Sequence, residues 1–96
     1  MNNLDKVLEK APGVRVRPLV DQELLLAYSP TSRKLHWLNL GAWALFELCD
    51  GESEVSAIVA AYSTAFEGEL SEQQVSGQVT AGLESLTSSG LIRAKA

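Results

Sequence analysis

The sequence predicts an α+β domain, a three-stranded antiparallel N-terminal sheet followed by a three-helix bundle. Three observations predict it. Val14-Arg15-Val16-Arg17 alternates apolar and charged residues with a period of two, the mark of a half-buried strand. Two further apolar runs, Glu23 to Tyr28 and Arg33 to Leu38, flank Ser29-Pro30-Thr31-Ser32, a turn of hairpin length. From Asn39 onward, three segments with apolar residues at helical spacing follow one another, two of them behind clear caps.

The chain has 96 residues, too few for two separate cores. Folding such a chain buries roughly 60–70% of the surface that it exposes when unfolded. An apolar fraction of 46% with 21% charged residues is that of an ordinary globular domain. Residues Met1 to Lys10 read as a flexible N-terminal segment, a tail or a frayed helical turn, and residues 11–96 as the single domain. Ala11-Pro12-Gly13 breaks the chain between them.

In the first strand the valines face inward and the arginines outward, and Pro18 ends it or sets it at an edge. In the third, Lys34, His36 and Leu38 share one face and Leu35 and Trp37 the other. Asn39 is placed to cap a helix from Leu40 to about Cys49 that Gly51 stops. Leu40, Trp43, Ala44 and Leu48 form its apolar face, widened by Leu45 and Cys49, so the helix is expected to be largely buried. Ser53 is expected to cap the second helix, with Val55, Ile58, Val59, Tyr62 and Phe66 as its stripe, closed by Glu67 and Gly68.

The third helix has the clearest start. Ser71-Glu72-Gln73-Gln74 is a capping box, flanked by Leu70 and Val75 as a hydrophobic staple. Val75, Val79, Leu83 and Leu86 make its inner stripe, and Ser89-Gly90 ends it. Leu91-Ile92-Arg93 has room for one last short strand.

Twelve acidic against eight basic residues give a net charge of −4. Such a surface repels phosphate backbones and anionic lipid, so neither nucleic acid nor membrane is an expected partner. Four of the basic residues, Arg15, Arg17, Arg33 and Lys34, gather in the first third of the chain. One cysteine excludes an intramolecular disulfide, and no apolar run near the N-terminus reads as a signal peptide. A cytoplasmic protein is expected.

Catalysis needs a nucleophile, a base and a charge stabiliser in one place, and little here converges. His36 lies on a strand as a surface imidazole. Cys49 lies in an apolar helix as a core thiol, with no basic neighbour expected to lower its pKa. No Cys-x-x-Cys, His-x-x-x-His or acidic calcium loop occurs, and Glu52 and Glu54 beside a helix start simply suit the macrodipole. Gly77 and Gly82 lie within a helix and cradle no phosphate; at most they mark a face where something packs closely. No enzyme, cofactor or metal site is expected. Trp37 is the informative oddity, because an exposed aromatic on an edge strand tends to mark a binding surface. Trp43 belongs to the helix stripe.

The segment His36-Trp37-Leu38-Asn39, followed by Ala42, Leu45, Leu48-Cys49-Asp50-Gly51 and then Val55 and Ile58, resembles the PqqD family. The upstream Pro12-Gly13-Val14-Arg15-Val16-Arg17 is also similar to that family's first strand. The resemblance implies a winged-helix-like peptide-recognition domain. Such a domain is a peptide chaperone of ribosomal-peptide modification pathways, binding the leader of a precursor peptide and presenting its core to a modifying enzyme. In pyrroloquinoline quinone (PQQ) synthesis that enzyme is a radical SAM protein. The leader adds as a strand beside the third strand and lies against the third helix. The residues that this implies for peptide binding are Arg33, Lys34, Leu35, His36, Trp37 and Leu38 on the strand, with Gln78, Val79, Gly82 and Leu86 on the helix.

Strand addition is also sound physically, because an edge strand offers unpaired N–H and C=O groups to any extended peptide. Leu35 and Trp37 are expected to line a pocket with the third helix, and Arg33 and Lys34 to attract an acidic leader. Two alternatives remain. A winged-helix DNA binder needs Arg or Lys on its recognition helix, and Ser71 to Ser89 contains neither. A homo-oligomeric adaptor would close the same edge on its own copy.

Overall fold

The computed structural model describes residues 6–95; residues 1–5, half of the expected N-terminal segment, and residue 96 lie outside the described residues. Val7–Lys10 forms β1, Arg15–Leu19 β2, Leu24–Ser29 β3 and Lys34–Leu38 β4. Leu40–Leu48 forms α1, Asp50–Glu54 β5, Val55–Ala65 α2, Glu72–Ser88 α3 and Ile92–Ala94 β6. The described strands make two three-stranded antiparallel sheets, ordered β2-β3-β4 and β5-β1-β6.

This corrects the expected architecture. The winged-helix-like plan of one N-terminal sheet followed by a helix bundle does not hold, because strands both precede the first sheet and interrupt the helices. β1 comes from the stretch expected to be a tail or frayed turn, and it pairs with β6 through Leu8↔Ala94, Glu9↔Arg93 and Lys10↔Ile92. β5 lies between α1 and α2 and pairs with β1. Its sequence, Asp-Gly-Glu-Ser-Glu, contains residues depleted in strands and has no apolar alternation. Main-chain pairing with β1 makes it a strand, and side chains fasten the second sheet. Arg93 Nε donates to Glu9 Oε2 at 2.6 Å, and Lys95 Nζ donates to the Gly51 carbonyl at 2.8 Å.

β3 follows its sequence closely, whereas in β2 Val16, expected to face inward, is 44% exposed. Leu25, Ala27 and Ser29 of β3 are buried, while Leu24, Leu26 and Tyr28 alternate on the outer face. The helices pack on the inner face, where Leu25, Ala27 and Leu38 join Leu45, Ile58, Val79 and Leu86 in one core.

Asn39 caps α1 as its residue type implies, its Oδ1 accepting from the Ala42 N–H at 2.9 Å. The buried face of α1 is displaced from the expected stripe. Leu45, Phe46 and the flanking Cys49 are buried, whereas Leu40 is 52% exposed. In a helix as apolar as Leu-Gly-Ala-Trp-Ala-Leu-Phe-Glu-Leu, the pattern carries little directional signal, so the packing partners choose the face. The helix ends at Leu48 before Gly51 is reached, and Lys10 Nζ donates to the Cys49 carbonyl at 3.3 Å. α2 starts behind Glu54 and not behind Ser53, since residues 50–54 are held in β5.

α3 matches its sequence. Ser71 Oγ accepts from the Gln74 N–H at 3.2 Å and Gln74 Oε1 from the Ser71 N–H at 2.9 Å. Val75, Val79, Leu83 and Leu86 are its buried residues. Of its two glycines only Gly82 meets a close neighbour, for a Cβ there would run into Leu45 Cδ1, while one at Gly77 meets nothing within 4 Å. Gly77→Ala is therefore expected to stabilise the domain by up to about 1 kcal/mol through helix propensity. At Gly82 the same gain is outweighed by overpacking of about 1–3 kcal/mol, because Leu45 is 2% exposed and has nowhere to go. Urea midpoints of the two variants moving in opposite directions would confirm the α1–α3 contact.

Candidate functional site

The site is built from the edge of the first sheet upward. β4 pairs only with β3, from Leu25↔Leu38 to Ser29↔Lys34, and no strand lies along its other side among the described residues. Strand alternation splits its side chains between two faces, and the burial of Leu38 against the core sets the phase. Lys34, His36 and Leu38 lie on the helix side. Leu35 and Trp37 lie on the outer face, 59% and 63% exposed, as cross-strand neighbours of Tyr28 and Leu26. The expected pocket between Leu35, Trp37 and α3 is thus not formed, because these side chains point away from the helices.

β4 and α3 are nevertheless joined, through the turn before β4. Ser29 Oγ donates to the Gly90 carbonyl at 3.0 Å and accepts from the Ser32 N–H at 3.2 Å. Ser32 Oγ donates to the Ser89 carbonyl at 3.2 Å and lies 3.2 Å from His36 Nε2. Arg33 holds a positive φ of 59° in this turn, and its N–H donates to the Ser29 carbonyl at 2.7 Å. These bonds lock the β3–β4 hairpin onto the C-terminal end of α3. The sequence held one signal of this cluster, a serine in phase with the buried Leu25 and Ala27.

Beyond Leu38 a concave surface opens between the start of α1 and the middle of α3, lined by Asn39, Gly41, Leu45, Gln78, Ala81 and Gly82. Gln78 is held there by Tyr62, whose hydroxyl donates to Gln78 Oε1 at 3.1 Å. Of the ten residues expected to bind peptide, Gln78 and Gly82 line this concave surface, while Lys34 and His36 lie on the helix side of β4. Arg33 sits at its turn, and Leu35 and Trp37 back the edge from the outer face. Leu38, Val79 and Leu86 are core residues, 7%, 0% and 2% exposed, their side chains turned to the interior.

Cys49 and Asp50 have structural roles. Contrary to the sequence expectation, Cys49 does have a basic neighbour, Lys10, but its effect is outweighed. Burial pushes the thiol up to about 11, so it stays protonated at neutral pH. Asp50 Oδ1 accepts from the backbone N–H of Glu52 at 2.9 Å and of Ser53 at 2.8 Å. Those bonds hold its carboxyl below the usual range, and with Gly51 at φ 79° they shape the turn that leads α1 into β5. No group of three or more potential metal ligands occurs among the described residues, and no helix there is long and apolar enough to cross a membrane.

The model of the PqqD family, coenzyme PQQ synthesis protein D, matches residues 25–92. The chain belongs to the PqqD family. The matched stretch runs from β3 to the start of β6 and so includes β4, α3 and the turn that ties them. The similarity noted at Pro12 to Arg17 lies upstream of it. PqqD proteins are non-catalytic accessory proteins of coenzyme PQQ synthesis. No curated protein and no solved structure matches this chain.

Proposed function

We propose that this PqqD-family chain is a cytoplasmic peptide-binding adaptor. It takes up the leader segment of a ribosomally made precursor peptide as an added strand on β4 and presents the rest of that peptide to a modifying enzyme of the radical SAM type. The observation that carries this reading is the unpaired edge of β4, in a hairpin whose turn is bonded to the end of α3. An extended peptide there gains main-chain hydrogen bonds whatever its sequence. The groove lined by Leu45, Gln78 and Gly82 supplies side-chain selection, and Arg33 and Lys34 supply a local positive end for an acidic residue of the leader.

Replacing Trp37 by proline tests it, since proline removes one amide of the strand. Binding of a precursor peptide should weaken about tenfold or more, the scale of one or two charge-neutral hydrogen bonds. Trp37→Ala, which keeps the amide, separates backbone from side chain. Where the proline variant does not fold, hydrogen exchange on the wild-type chain decides. Slower exchange in Lys34–Leu38 with peptide supports strand addition; unchanged exchange with peptide bound refutes it.

A further inference from the structure

The concave surface beyond Leu38 reaches past α1 and α3 to the C-terminal end of α2 and the start of β3, and it encloses about 800 Å³. Leu24, Leu45, Phe66 and Leu70 give it an apolar lining, and the only charged residues that line it are Glu23 and Glu69. Neither carboxylate is in an ion pair among the described residues, where the one such bond joins Arg93 and Glu9. No cation is at hand to neutralise them either. From Leu35 to Ile92, the stretch that supplies all three helices, the chain has eight Asp and Glu and no Lys or Arg. The opposite sign gathers at the far end of β4. Arg33 and Lys34 stand there, and Arg33 is six residues before Asn39, about 20 Å at ordinary strand rise.

We infer that this groove takes a lysine or arginine side chain of the bound peptide, its methylene stem on the apolar lining and its charged head at Glu23 and Glu69. The inference rests on the leader-binding reading and adds a polarity to it. A fitting leader carries an acidic residue at the β3–β4 turn and a basic one about six residues away, at the start of α1. A purely apolar side chain fits less well, because it covers the carboxylates without pairing them. An acidic side chain or a phosphate backbone is repelled. The start of α1 also opens on the groove, and its positive end amounts to about half an elementary charge. Two full negative charges outweigh it, and Asn39 Oδ1 already takes the Ala42 N–H of that helix end.

The probe is a synthetic strand-forming peptide of threonine and valine, about ten residues long so as to span β4 and the groove. It carries an aspartate near one end and one variable residue, lysine or norleucine, moved along the peptide in turn. Norleucine keeps the stem and removes the charge. The full chain should bind the best lysine form about three- to tenfold more tightly than its norleucine counterpart, and added salt should reduce the difference. The Glu23→Asn/Glu69→Gln variant should bind the two forms equally. It should fold as well as the wild type, because Glu23 holds a positive φ of 55° that asparagine adopts more readily, and Glu69 is exposed; matching thermal midpoints check this. Equal binding of the two forms by the wild type overturns the inference, as does a lysine preference that survives in the variant. Tighter binding of the norleucine form overturns it in favour of a plain apolar pocket, and binding of neither form overturns it outright. Hydrogen exchange separates the inference from the reading beneath it. Slower exchange in Lys34–Leu38 with no lysine preference removes the groove assignment and keeps strand addition. A lysine preference that the variant loses, with exchange in Lys34–Leu38 unchanged, supports the groove assignment and removes strand addition.

Discussion

Replacing Gly90 by alanine is expected to lower the stability of the domain by about 2–5 kcal/mol. Gly90 follows the C-cap of α3 with φ 77°, and it ends the helix in a Schellman arrangement. Its N–H donates to the Thr87 carbonyl at 3.0 Å, and the Leu91 N–H donates to the Leu86 carbonyl at 3.1 Å. An alanine held in that conformation costs about 1–2 kcal/mol. A Cβ there would also lie 2.6 Å from Ser29 Oγ and 3.2 Å from Thr31 Cβ. Moving Ser29 away breaks its bond to the Gly90 carbonyl and strands a fully buried hydroxyl, which costs about 1–3 kcal/mol more. Gly68 is the control, with φ 85° but nothing within 4 Å of its Cβ position. Gly68→Ala should lose only the backbone cost. Urea unfolding monitored by circular dichroism reads both, and equal losses at the two positions would refute the role given to the Ser29 contact. Because the same contact fixes the hairpin on α3, the Gly90 variant should also bind the precursor peptide more weakly than the Gly68 variant.

Phe46→Ala should cost about 3–5 kcal/mol, whereas Leu40→Ala should cost less than about 1 kcal/mol. Phe46 is 2% exposed and Leu40 52%, and Lys10 Nζ lies 5.0 Å from the centre of the Phe46 ring. Truncation therefore opens a cavity under α1 and removes a cation–π contact of about 0.5–1 kcal/mol. A loss near 4 kcal/mol is a large fraction of the 5–15 kcal/mol that holds a typical domain together. The pair discriminates sharply, because the apolar stripe read from the sequence includes Leu40 and omits Phe46. Comparable losses in thermal or urea midpoint at the two positions would return α1 to the phase expected from sequence.

What was legible follows from where each signal resides. Asn39 and Ser71 announce helix starts because the bonding partner of each cap is three residues away. The inner stripe of α3 is legible because polar residues surround it, so Val75, Val79, Leu83 and Leu86 have only one possible side. The β3–β4 hairpin is legible for a similar reason, with two apolar runs separated by turn residues. Val79 and Leu86 belong to that stripe, so their side chains face the core. The second sheet left no comparable trace. β1 and β5 are paired across more than forty residues of chain, and neither carries the alternation of a strand with one face buried.

The sequence alone determined the local grammar of this protein: its helix starts, the inner face of α3, the β3–β4 hairpin and the family to which it belongs. Each is written in side chains that interact within a few residues, or in a pattern with one polar and one apolar side. Only the tertiary structure decided the second sheet, the buried face of α1 and the direction in which Trp37 points. α1 is apolar on nearly every side, β5 is polar throughout and β4 carries a large apolar residue on each face, so the choice falls to the elements that pack or pair against them. The consequence for β4 is a division of labour, its edge and helix side left open toward α3 and its Leu35 and Trp37 turned to the outer face.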